Sequence, residues 1–110
     1  MKNVKIPTSR NYQEFLIESL KNSEEAASYL EIVLEEGSDE PLLLQNAISN
    51  VVEAYAKMNH ISDSTKQQYE KLQNILKQSN CAEIYAFLEL LNTIGFQISI
   101  TPKSNSPYQS

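Results

Sequence analysis

The sequence predicts a small all-α domain, a helical bundle that ends on one short β-strand. Only 2 Gly and 4 Pro punctuate its 110 residues, too few for a loop-rich or all-β chain. Apolar residues return at three- and four-residue spacing through five successive segments, the period of helices with one buried face. After Gly95 the spacing changes to alternation, with Phe96, Ile98 and Ile100 set against Gln97, Ser99 and Thr101, and Pro102 closes the run.

Ser9 or Asn11 is placed to cap a first helix running to about Lys21, with Tyr12, Phe15, Leu16 and Leu20 on one face. Asn22 followed three residues later by Glu25 is a capping-box pattern, and Ala26, Ala27, Leu30, Val33 and Leu34 carry a second helix to a stop at Gly37. Ser38 or Asp39 caps a third helix and Pro41 suits its first turn. Leu43, Leu44, Ala47, Ile48, Val51, Val52 and Tyr55 make it the core helix. From Lys57 to Thr65 the chain is polar, with Ile61 as its apolar anchor. Tyr69, Leu72, Ile75 and Leu76 then mark a helix whose opposite face is polar and slightly basic. Asn80 caps the last helix, which carries Ile84, Phe87, Leu88, Leu91 and Ile94 and stops at Gly95, where a left-handed residue is usual. Leu30, Leu44, Ile48, Val51, Leu72, Ile75, Phe87, Leu88 and Leu91 are expected to form one core. Residues 1–10 read as a flexible arm, 11–102 as a single helical domain and 103–110 as a disordered tail.

The composition argues against catalysis. His60 is the only histidine and lies in a polar turn with no nucleophile elbow around it, so it reads as a surface residue. Cys81 is the only cysteine, which rules out an internal disulfide, and no nearby His or Lys activates it; it reads as a packing residue. Gly37 and Gly95 alone cannot build a P-loop or a dinucleotide fingerprint. No enzyme activity, cofactor, metal or small-molecule substrate is therefore expected. No apolar run approaches the length of a membrane span, and MKNVKIPTSR lacks the apolar core of a signal peptide, so a cytoplasmic location is expected.

Charge is unevenly spread. Residues 1–57 hold 5 Lys+Arg against 10 Asp+Glu, a net of −5, while residues 58–110 hold 4 of each, a net of 0. An acidic first half suits a basic partner, and Glu24, Glu25, Glu31, Glu35, Glu36, Asp39 and Glu40 are the residues placed to meet it. A solvated acidic face that confers solubility is the plainer alternative.

The segments EAASYLEIVLEEG, with the leucine-rich helix after it, and LLNTIGFQISI, with its Gly95 breaker, resemble the antidote (antitoxin) proteins of bacterial addiction modules of the Cro/XRE helix-turn-helix type. The resemblance covers roughly Asn11 to Pro102. It implies a homodimeric transcriptional regulator that binds a cognate toxin and represses its own operon. The helix-turn-helix would run over residues 58–78, with Ile61 as the anchor of the scanning helix, Ser62 at the small position, and Leu72 and Ile75 buried in the recognition helix. Lys66 stands at the turn-glycine position and Gln67 where an apolar residue packs the turn.

On this reading Lys66, Gln68, Tyr69, Lys71, Gln73, Asn74 and Lys77 face double-stranded operator DNA, where Gln and Asn pair with adenine and Lys meets guanine or phosphate. Ser62 could instead cap one uninterrupted helix from Asp63 to Gln78, with the polar face as ordinary surface. The functional alternative is a protein-interaction module whose helix-turn-helix has decayed. In either case Phe96, Ile98 and Ile100 are expected to pair with a second copy across a two-fold axis, because one strand alone leaves its backbone groups unpaired.

Overall fold

The computed structural model describes residues 9–103, and the expected arm up to residue 8 and tail from residue 104 lie outside them. Ser9 and Arg10, counted above with the arm, belong to the first helix. Five helices follow one another: α1 Ser9–Leu20, α2 Ser23–Glu36, α3 Pro41–Met58, α4 Asp63–Ser79 and α5 Ala82–Thr93. The all-α class is as the sequence predicts. The C-terminal strand does not form among the described residues: Phe96 to Ile100 has no regular secondary structure, because a strand needs a neighbour's backbone and the described residues offer none there.

Local signals explain most helix boundaries. The Asn22 side-chain oxygen accepts from the backbone N–H groups of Glu24 (2.9 Å) and Glu25 (3.0 Å), so the expected cap of α2 is present. Pro41 occupies the first turn of α3, as expected, but the residue before it is Glu40, which makes no side-chain cap; Ser38 and Asp39 lie too far upstream. Ser62 caps α4 through the Thr65 N–H at 3.1 Å. Asn80 differs from expectation. It ends α4 in the left-handed conformation (φ 54°), and Cys81, also left-handed (φ 62°), occupies the start of α5. Gly95 turns the chain at φ 100°, as its position predicts.

α3 is the spine. Near its C-terminal end Ala54 packs with Ile17 and Leu20 of α1, flanked by Tyr29 of α2 and Val51. At the other end Leu44 packs with Leu76 and Cys81, flanked by Val33, Ile48, Ile84 and Tyr85. Ala47, completely buried, lies on α3 between the two clusters. A polar tie crosses the first: the Gln13 side-chain amide of α1 donates to the Asn50 side-chain oxygen Oδ1 (2.7 Å), and the Asn50 side-chain NH2 donates to the Tyr29 hydroxyl (3.1 Å). One amide on α3 thus links three helices.

The single core expected from periodicity is therefore divided: Leu44, Ile48 and Val51 join its two clusters, Leu30, Leu88 and Leu91 are half-buried outside them, and the remaining three are exposed. Leu72, Ile75 and Phe87 are 38%, 42% and 55% exposed, because Leu76 and Tyr69 take the inner face of α4 while Ile84, Leu88 and Leu91 take that of α5. Gly37 ends α2, as expected, and it does so outside the left-handed region. Its φ is −95°, and a Cβ there would come within 2.6 Å of the Val33 carbonyl oxygen and 2.8 Å of the Tyr85 hydroxyl. That hydroxyl donates to the same Val33 oxygen at 3.1 Å. Glycine is required first by the close Val33 carbonyl of α2 itself and then by the approach of Tyr85 from α5.

Leu76→Ala should lower the unfolding free energy by roughly 2 to 5 kcal/mol, and Phe87→Ala by less than about 1 kcal/mol. Urea titrations of both variants check this, and similar losses would contradict the assignment of faces. Gly37→Ala should cost roughly 1 to 3 kcal/mol through overpacking. The same substitution in a Tyr85→Phe background should cost less, since one of the two clashing atoms is gone, and a double-mutant cycle reads the difference.

Candidate interaction surfaces

The residues expected to read DNA lie on α4, and α4 has no break. Lys66 donates its backbone N–H to the Ser62 carbonyl at 3.1 Å, so the chain passes through Lys66 and Gln67 as ordinary helix. The turn expected at Lys66 is not formed, and the uninterrupted helix capped by Ser62 is what the chain adopts. The reason is local: a left-handed lysine costs about 1 to 2 kcal/mol, Gln67 supplies no apolar contact to offset that, and Lys, Gln and Glu propagate helix well.

At about 100° per residue the seven candidates spread over roughly 260° of the helix circumference, more than one groove can meet. Gln73 is turned toward α3, its amide donating to the Gln45 carbonyl (3.1 Å) and the Tyr69 hydroxyl (3.2 Å). With Asn74, Lys77, Asn46 and Ser49 these residues line a polar groove of about 490 Å³ between α3 and α4. Lys66, Gln68 and Lys71 are exposed outside it.

A second groove, of about 460 Å³, lies between α2, α5 and the segment after Gly95. Leu34, Leu88, Leu91, Phe96 and Ile98 give it an apolar lining, and Glu31, Glu35 and Glu89 contribute carboxylates from both helices. Its third side depends on the Gly95 turn, where the Phe96 N–H donates back to the Leu91 carbonyl at 2.7 Å. The segment then runs toward α2, where the Ile100 N–H donates to a Glu31 carboxylate oxygen at 2.9 Å. The alternation expected of a strand survives in part, since Ile98 and Ile100 are half-buried while Gln97, Ser99 and Thr101 are exposed. Phe96, expected to share their face, is 61% exposed.

Of the acidic residues expected to meet a partner, Glu31 and Glu35 line this groove. Glu24 and Glu25 lie at the opposite end of α2, where the positive end of the helix dipole favours them. Glu36 ends α2, and Asp39 and Glu40 follow it in the loop. Sequence spacing did not single out Leu34, Tyr85 or Glu89 as site residues. The spacing of Ile84, Leu88 and Leu91 marks an inner face, but not which helix it meets.

Among the described residues no group of three His, Cys, Asp or Glu is arranged to hold a metal, and no helix is long and apolar enough to cross a membrane. Cys81 is fully buried, its thiol directed at the Pro41 carbonyl at 3.6 Å. Burial raises its pKa above the ordinary 9.0, with Glu83 adding to the shift and the Gln45 side chain opposing it. The fold therefore favours the neutral thiol. That contribution is fully present below the unfolded thiol's pKa and is lost as pH rises through the raised one.

At neutral pH an aromatic disulfide reagent should react with Cys81 far more slowly than with the urea-unfolded chain, and the rate should rise with urea as the domain opens. Equal rates in native and unfolded protein would place Cys81 at the surface. No protein family, no curated protein and no solved structure matches this chain.

Proposed function

We propose that this protein is a cytoplasmic interaction module of the antidote type, which works by binding a partner protein such as a toxin. The observation that carries the reading is the groove between α2 and α5, apolar in its lining and acidic on both of its helical sides. Further support comes from apolar side chains left uncovered on the α4–α5 hairpin: Leu72, Ile75, Phe87, Leu90 and Ile94 are between 38% and 57% exposed. A hairpin with that much bare apolar surface is suited to being covered by another molecule. Self-pairing into a homodimer belongs to the same reading, since the segment beyond Phe96 makes no backbone–backbone hydrogen bond among the described residues.

A second reading, a DNA-binding regulator of its own operon, is favoured by one observation. Lys66, Lys71 and Lys77 are all exposed on α4, among the described helices the one with a net positive charge, three lysines against Asp63 and Glu70.

Co-expression with the product of the adjacent open reading frame, followed by size-exclusion chromatography, tests the first reading directly. A stable complex is expected. Fluorescence anisotropy with the protein's own promoter at two salt concentrations tests the second, and weak binding without sequence preference is expected. Absence of a complex, together with promoter-specific binding lost in a Lys71→Ala, Lys77→Ala variant, would put the regulator reading in place of the interaction module.

A further inference from the structure

We infer that the α2–α5 groove takes a cationic amphipathic helix, with apolar side chains against Leu34, Leu91 and Phe96 and Lys or Arg against Glu31, Glu35 and Glu89. This rests on the interaction-module reading and names the partner's chemistry and its seat.

The argument is electrostatic as well as steric. α2 contains five glutamates and no basic residue. Glu31 and Glu35 stand four residues apart on it, a spacing at which like charges repel. Glu35 lies in the last turn beside Glu36, at the negative end of the helix dipole, where a cation is favoured and none is present. Glu89 adds a third carboxylate from across the groove. Among the described residues none of these four forms an ion pair; the ion pair between described residues is Lys21 with Glu18 on α1. Free α2 therefore holds uncompensated negative charge beside an apolar trough.

A guest with apolar residues on one face and cations along its edges would cover the trough and neutralise both sides together. Helical guests suit a trough framed by two helices, because their anchors recur at three- and four-residue spacing on one face. A second copy of this chain is a poor match. The one basic helix among its described residues, α4, exceeds neutrality by a single charge. Hydrogen bonding of Glu31 to the Ile100 N–H leaves its other oxygen for a guest, and the same bond holds the third side of the groove in place.

The probe is a labelled peptide with leucines at helical spacing and lysines on the remaining positions, titrated by anisotropy against the full chain. Two controls accompany it: the same peptide with glutamates for lysines, and a lysine peptide of equal charge with serines for leucines. Binding of the first alone is expected, weakening as salt rises. Glu35→Lys with Glu89→Lys should raise its Kd about tenfold, equivalent to about 1.4 kcal/mol. Phe96→Ser should also weaken it, with no loss of helix content by circular dichroism, because that side chain is 61% exposed. Equal binding of either control, indifference to these variants, or no binding of the lysine–leucine peptide would each overturn the inference. If the same charge variants abolish self-association seen by light scattering, the occupant is a second copy and the inference fails. A co-expressed complex that forms equally well with Glu35→Lys, Glu89→Lys protein would leave the interaction module standing and remove only this seat.

Discussion

The α4–α5 hairpin depends on a small buried cluster, Leu76 and Cys81 against Leu44 of α3. Bringing Cys81 inside requires two consecutive left-handed residues, Asn80 and Cys81, at a cost of about 1 to 2 kcal/mol each for side chains with a Cβ. Asparagine tolerates that region better than most residues. Full burial of Leu76 contributes about 1.5 to 3 kcal/mol, and the Cys81 N–H satisfies the Leu76 carbonyl at 3.0 Å. These terms are of comparable size. The turn is therefore held by the packing it makes possible, and the orientation of α5 follows from it.

That orientation brings Tyr85 onto the end of α2, where Gly37 leaves room for its hydroxyl and Val33 accepts its hydrogen bond. It also opens the groove beyond Tyr85, because α5 touches α2 near Val33 and the apolar side chains of Leu88 and Leu91 extend past that contact. A glycine that looked like a helix stop is therefore part of an interhelical joint. The same joint sets Glu89 facing the acidic end of α2, an arrangement unfavourable by charge alone and held by packing. Like charges are thus brought together at this edge of the molecule at some cost in stability.

The α4–α5 unit is thinly packed in comparison with the first three helices. α5 has no fully buried residue, and α4 has one. The α1–α2–α3 unit, by contrast, closes on Ile17, Leu20, Ala27 and Ala54 and is crossed by the Asn50 amide tie. Both parts nevertheless leave apolar side chains uncovered, Phe15 (72%) and Leu42 (65%) in the first and Leu90 and Ile94 in the second.

The sequence by itself determined the helices, their order and several of their ends, because those depend on interactions within a few residues: the Asn22 oxygen over the next turn, Pro41 at an N-terminus, Gly95 at a positive φ. It also showed the acidic character of α2, which needs only a count of charges. The uninterrupted course of α4 was among the readings it allowed, and lysine at the turn position decided between them through local backbone energy. Only the tertiary structure decided which apolar stripes are covered, since Leu72, Ile75 and Phe87 carry the same spacing as Leu76 and Leu88 and differ only in what lies opposite them. It alone turned Gln73 toward Gln45, set Glu89 across from Glu31 and Glu35, and left the segment after Gly95 without a strand partner among the described residues. Each of these is a contact between residues distant in the chain, and periodicity records the direction a side chain takes from its own helix but not the neighbour it will find there.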